Sequence, residues 1–331
     1  MKDQKTRSYW KQRPKKVRFR FKSTPPERIR IVLMIVAALV AVTCLILLGR
    51  YAVDYFSARD ASDALRAAYY DTADDAVDAP ASAPAVPTAS PTMAPAPEAS
   101  ATPTQTPAIS SQNLPAVKYP DNPWYLVQDK FDKVRRQNSD IIGWLTIDGL
   151  LDEAVVQRDN AYYLRRDYRG YHNTNGALFL EEDCDLRTRP YTLMIYGHNM
   201  KTGAMFGCLR NYENLTFYQN NPLITFDSIY EDGRYVIFSV ATVSLAYGDW
   251  NYLSVFDLTS DIIPSREREI ARLQSLSLYS SPVDVRADDQ LLLLVTCVDD
   301  EDERRIVAAR RIRPDESEDA IIKKVQRVRK W

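Results

Sequence analysis

Histidine is almost missing from this chain: His172 and His198 are the only two in 331 residues. Any chemistry that needs an imidazole therefore has two candidates. Cysteine is scarce too, with Cys44, Cys184, Cys208 and Cys297. No internal repeat occurs, which excludes a solenoid or an array of repeats. Charge and proline are both absent from residues 31–49, IVLMIVAALVAVTCLILLG. An uninterrupted apolar run of that length, rising ~1.5 Å per residue as a helix, can cross the hydrocarbon core of a bilayer.

What surrounds that run is strongly biased. The first thirty residues carry twelve Lys and Arg against Asp3 and Glu27. The tail is therefore +10 and the remainder −11 within a total of −1. A basic tail alone would suit nucleic acid. A basic tail directly before an apolar span instead predicts a membrane protein with a cytoplasmic N-terminus and the rest outside. A cleaved signal peptide is the rival reading, but the charged region is long and no small-x-small cleavage site follows Leu48. Cys44 lies in the span. That leaves Cys184, Cys208 and Cys297 on the far side, where disulfides are allowed. An odd number leaves at least one free thiol, and two buried thiols at 184 and 208 is the simplest reading.

The expected organisation is a basic tail (1–30), a signal anchor (31–49), a juxtamembrane segment and linker (50–120), and a folded domain (121–331). Residues near 51–70 can continue as a helix. The Ala/Pro/Ser/Thr-rich stretch that follows cannot bury enough apolar area to fold. As an extended spacer of about fifty residues, ~3 Å each, it would reach ~150 Å.

Within the domain, Asn122-Pro123 predicts a helix start, and Trp124, Val127, Phe131 and Val134 recur at helical spacing as a core-facing stripe. Eight short β-rich runs follow: IIGWLTIDG, EAVVQ, GALFLEE, YTLMIYG, LITFDS, RYVIFSVATVS, QLLLLVTC and RIVAARRI. So many short strands in one region predict a barrel or a sandwich. An inserted helix over residues 265–279 carries Ile270, Leu273 and Leu276 on one face. A C-terminal helix over 317–331 carries Ile321, Ile322, Val325 and Val328.

The chemistry gathers at strand ends. His198 follows YTLMIYG, Cys297 ends QLLLLVTC, and Arg305 opens the next run. A cysteine nucleophile works as thiolate and needs an imidazole for proton exchange. Acyl transfer also builds an oxyanion that a permanently charged arginine can stabilise. The plain alternatives are a buried apolar cysteine and a structural histidine.

At these residues the sequence resembles the class B sortases. Tyr196-Gly197-His198-Asn199-Met200 with Gly203 and Met205-Phe206 is similar to their YGH-x-M…G…MF segment. Thr296-Cys297 followed by Arg305-Ile306-Val307 resembles their TC…RIV segment. The Asn138-Ser139-Asp140-Ile141-Ile142-Gly143-Trp144 region and Val155-Val156-Gln157 resemble their first strands. The likeness runs over residues 124–312. It implies an α+β, mainly β fold: an eight-stranded, mostly antiparallel barrel with N-terminal, inserted and C-terminal helices. It also implies a transpeptidase. Cys297 attacks the carbonyl of a Thr in a C-terminal sorting motif and forms a thioacyl enzyme. His198 moves the proton, and Arg305 steadies the oxyanion. The acyl group then passes to an amine of a cell-wall precursor or a pilin lysine. No cofactor, metal or nucleic acid is implied. Arg304 is also cationic, but Arg305 is the one preceding Ile-Val. Val295 and Val298 stand where relatives often carry polar residues, which bears on substrate preference. A cysteine endopeptidase using water and a non-catalytic module of the same fold are the alternatives.

Weaker signals have plainer readings. His172 reads as a loop residue. The acidic run at 299–303 could hold calcium, but its spacing matches no EF-hand loop and a solvated loop is the simpler reading. The aromatic stretch YGDWNYLSVF (247–256) reads equally as a peptide groove and as a packed corner.

Overall fold

The computed structural model describes residues 27–77, 113–298 and 303–331. The basic tail, most of the linker and acidic residues 299–302 lie outside these. The chain divides into two compact units, residues 1–54 and 55–331. In the first, residues 29–53 form one helical stretch of mean hydropathy 3.2, long and apolar enough to cross a membrane. They belong to helix α1 (Glu27–Val77), whose later turns are part of the second unit.

The second unit is built on a β-barrel. Its elements in chain order are α2 (Asp132–Gln137), β1 (Ile141–Ile147), β2 (Leu151–Val156), β3 (Leu178–Leu180), β4 (Thr192–Tyr196), α3 (Leu215–Asn220), β5 (Leu223–Ser228), β6 (Arg234–Ser244), α4 (Val255–Thr259), α5 (Ile263–Ser275), β7 (Tyr279–Ser280), β8 (Leu291–Cys297), β9 (Glu303–Arg311), α6 (Glu318–Val325) and β10 (Arg329–Lys330). The barrel closes in the order β1-β2-β3-β4-β8-β9-β6-β5, and β7 pairs with β10 beside it. Within the barrel only β2–β3 and β4–β8 are parallel. All eight β-rich runs became barrel strands, as expected. Closure leaves no free edge in the barrel. Leu291 to Leu294 are each fully buried. An unbroken apolar run of this kind marks a strand covered on both faces.

The later turns of α1 pack on this barrel. Ala61, Leu65 and Tyr69, spaced four apart, share one helix face and are buried. The Tyr69 ring stacks on Trp144 of β1, centroids 4.3 Å apart and planes 6° apart. Arg66 reaches Asp152 at 3.0 Å and Glu153 at 3.6 Å. The packed unit thus takes in helix residues well upstream of 121. Leu114 and Tyr119, beyond the linker, are buried as well.

The helix expected from Pro123 does not form there. Tyr125 has φ 56°, a left-handed conformation that cannot continue a right-handed helix. The Asn122 side chain instead closes a loop by accepting from the Leu126 amide at 2.9 Å and donating to its carbonyl at 2.7 Å. Helical structure begins at Asp129. Of the expected stripe, Phe131 and Val134 are fully buried while Trp124 is 80% exposed.

The inserted helix α5 starts two residues earlier than its pattern suggested, with Pro264 in its first turn. Ile270 and Leu273 are buried as expected. Arg266, one turn before Ile270 on the same face, is fully buried too. Its guanidinium donates to the carbonyls of Ala287, Leu258, Tyr191 and Asp289 at 2.6–2.9 Å. It also meets the Thr192 hydroxyl at 2.5 Å. One arginine thereby fastens the insertion to the start of β4. At the C-terminus, α6 buries Ile321 and Val325, and Val328 is buried just beyond it.

Candidate active site

Two parallel strands set the site. β4 and β8 run side by side with Tyr196 opposite Val295, and the Gly197 amide donates to the Val295 carbonyl at 3.2 Å. Two residues further on each chain stand His198 and Cys297. A step of two returns to the same face of a strand. The register therefore brings residues 198 and 297 to the same end of the barrel. Burial changes abruptly at this point: Thr296 is 2% exposed, whereas Cys297 is exposed. The strand holds its last side chain out to solvent on a rigid base.

The arginines enter from the antiparallel neighbour. β9 pairs Cys297 with Arg304 and Thr296 with Arg305. Both cations therefore lie at the end of the sheet that carries the thiol. Arg305 forms an ion pair with Glu213, which ends the 3-10 turn Phe206–Glu213 after the His198 loop. Arg304 donates from Nη1 to the Glu303 carbonyl at 2.9 Å. By register it is Arg304 that sits directly across from Cys297. The imidazole has its own tie: its Nε2 lies 2.6 Å from the Leu164 carbonyl.

The remaining cysteines are unlike Cys297. Cys184 and Cys208 are buried and unpaired, and burial pushes each thiol up to about 12. Neither forms thiolate readily near neutral pH. Cys44 lies in the apolar helix stretch. His172 is an exposed loop residue bridged to Arg166. Among the described residues no cluster of three or more His, Cys, Asp or Glu is placed to hold a metal ion. The acidic run falls outside them except for Glu303. In the aromatic stretch Tyr247, Trp250 and Phe256 are each more than 80% exposed, while Asn251 and Leu253 are buried.

No family model matches the chain. Sortase B of Listeria monocytogenes is 31% identical over 169 residues, 50% of this chain and 66% of that protein. The crystal structure of a Bacillus anthracis protein similar to sortase B superposes with a TM-score of 0.50 at 29% identity, covering 56% of this chain and 84% of that one. In sequence and fold this chain is similar to the class B sortases. A Staphylococcus aureus sortase B–substrate complex has the same fold, with a TM-score of 0.51 at 25% identity over 57% of this chain and 88% of that one. The chain spans just under two thirds, 66%, of the length of the curated sortase B proteins it matches. The resemblance read from the motifs around His198 and Cys297 is thus borne out at the level of family and fold.

Two contributors to the site were missed by sequence reasoning. Glu213 lies in none of the motifs read from the sequence, and nothing in its neighbourhood signals a bond to an arginine 92 residues later. The Leu164 contact uses a backbone carbonyl, which leaves no trace in residue type.

Proposed function

We propose that this sortase is a cysteine transpeptidase that cleaves a sorting signal at a Thr and transfers the new acyl end to an amine. The observation that supports this reading is the β4–β8 register, whose last pair lies two residues before His198 and two before an exposed Cys297. Cys297 attacks the scissile carbonyl as thiolate. The C–S bond forms, the peptide C–N bond breaks, and the proton held by His198 goes to the leaving amine. An incoming amine then displaces the thiolate and gives its proton back to the imidazole. Arg305 stabilises the oxyanion in both steps. It first exchanges its Glu213 partner for substrate, a swap of one negative oxygen for another. Exposed Tyr247, Trp250 and Phe256 supply an apolar surface for the peptide.

The substrates are surface proteins bearing a C-terminal sorting signal, and the acceptor is an amine of a cell-wall precursor or a pilin. The Staphylococcus aureus sortase B structure is a complex with its substrate, which supports a substrate site on this fold. The N-terminal apolar helix anchors the enzyme in the cell membrane, with the basic tail in the cytoplasm and the barrel outside.

The test is product analysis. The purified enzyme is incubated with Thr-containing sorting peptides, with and without a glycine oligomer. Aminolysis product that vanishes in Cys297→Ala supports the reading. Hydrolysis alone, unchanged by added amine, makes the protein an endopeptidase. Full biological activity in Cys297→Ala makes it a non-catalytic module.

A further inference from the structure

We propose that Gly176 and the Leu164 carbonyl position His198, fixing which ring nitrogen does the proton transfer; this rests on the role of His198 proposed above. A carbonyl oxygen only accepts hydrogen bonds. The nitrogen 2.6 Å from it, Nε2, therefore carries a proton in both charge states of the ring. In the neutral ring the lone pair is then confined to Nδ1. Nδ1 takes the proton from the incoming amine and returns it to the leaving one, while Nε2 remains a fixed donor.

The carbonyl holds its place because the turn around it is fastened on several sides. Tyr163 donates its hydroxyl to Asp140 at 2.7 Å and accepts from Asn138 at 2.7 Å. The Ala177 amide donates to the Tyr163 carbonyl at 3.1 Å, and the Asn173 amide to the Arg165 carbonyl at 3.0 Å. Gly176 closes this arrangement. Its φ is +62°, and a Cβ there would stand 2.7 Å from the Tyr163 oxygen, 2.8 Å from the Leu164 oxygen and 3.2 Å from His198 Cδ2. The first two distances are to backbone, which cannot swing aside as a side-chain tip can. Any side chain at 176 would therefore displace the oxygen that orients the imidazole. The His198 ring edge, the Leu164 oxygen and the Gly176 α-carbon form one contact.

Because there are only two histidines, the full chain carrying His172→Gln has a single imidazole to observe. Its ¹⁵N-resolved proton spectrum should show a slowly exchanging, downfield Nε2 proton and an unprotonated Nδ1 in the neutral form. A proton on Nδ1, or a freely exchanging Nε2 proton, would overturn the proposal without any variant having to fold. In the second arm, Gly176→Ala should lose that signal and drop kcat for acyl-enzyme formation at least tenfold, with KM within about twofold. Gly149→Ala serves as control, since it has φ +67° but open space around it; it should leave both readouts unchanged. An unchanged spectrum and rate in Gly176→Ala, or an equal loss in Gly149→Ala, would refute the assignment. Failure of the transpeptidase reading would look different: an ordered Nε2 proton in a protein that forms no acyl enzyme.

Discussion

Arg304 lies directly across the β8–β9 ladder from Cys297. The family motif points one residue further, to Arg305, whose guanidinium is engaged by Glu213. Alanine at each position separates the two. If Arg305 stabilises the oxyanion, Arg305→Ala should lower kcat by about 10²–10³, the usual cost of losing one such donor. Arg304→Ala should cost less than about tenfold. The reverse order would assign the role to Arg304. Steady-state kinetics with one sorting peptide decides it.

Loss of the nucleophile should be far more severe. Cys297→Ala should cut kcat by roughly 10⁴ or more, because residues that act as one unit fail together. His198→Ala should then add little in the Cys297→Ala background. A double variant much worse than either single one would contradict their joint action.

The thiols should differ in reactivity. Alkylation at pH 7.5 followed by mass spectrometry of the native protein should modify Cys297, while Cys184 and Cys208 stay unmodified until denaturant is added. Their burial and raised pKa, about 12 for each, both oppose thiolate formation. Rapid native alkylation of Cys208 would show that its packing is looser than described.

Glu153 gives stability a pH dependence. Burial raises its carboxyl to about 7, against the opposing pull of Arg66. The ordinary unfolded value is near 4.3. Between these values the folded state holds the proton and the unfolded state does not, so folding is favoured at the low end and weakens as pH rises. The slope from this group is at most about 1.4 kcal/mol per pH unit. Thermal melts of wild type and Glu153→Gln from pH 5 to 8 should show the substitution removing that decline. Parallel melting curves would remove Glu153 as its source.

The docked helix should contribute measurably to stability. Tyr69→Ala removes a ring stacked on Trp144 and its hydroxyl bond to Asp227 at 3.1 Å. A loss of about 3 kcal/mol is expected. Equilibrium denaturation of the full chain measures it, and a change below about 0.5 kcal/mol would mean the helix is only loosely held.

Much of this was legible in the sequence, and the exceptions share a cause. Short β-rich runs between turn residues gave all eight barrel strands, and period-3.6 patterning gave α5 and α6. His198 and Cys297 were legible as candidates because they close two apolar runs, and those runs pair in parallel and finish at the same end of the barrel. The helix expected at Pro123 failed because Asn122 offered the backbone a competing loop, a local contest that helical spacing does not record. The burial of Arg266 was not legible because four of its five partners are backbone carbonyls, invisible as residue types. The Leu164 contact was hidden for the same reason. Trp144 looked like ordinary core, yet it presents its ring to a helix separated from it by a proline-rich stretch.

The Ala/Pro-rich stretch leaves a helix already packed on the barrel and returns to Leu114 and Tyr119, also packed there. The chain between residues 77 and 113 therefore starts and ends on the same compact unit. The entropic cost of joining two fixed ends grows slowly with the chain between them, about 0.6 kcal/mol for each doubling. A cut between residues 78 and 112 would leave the helix on the barrel, held by Leu65, Tyr69 and Arg66.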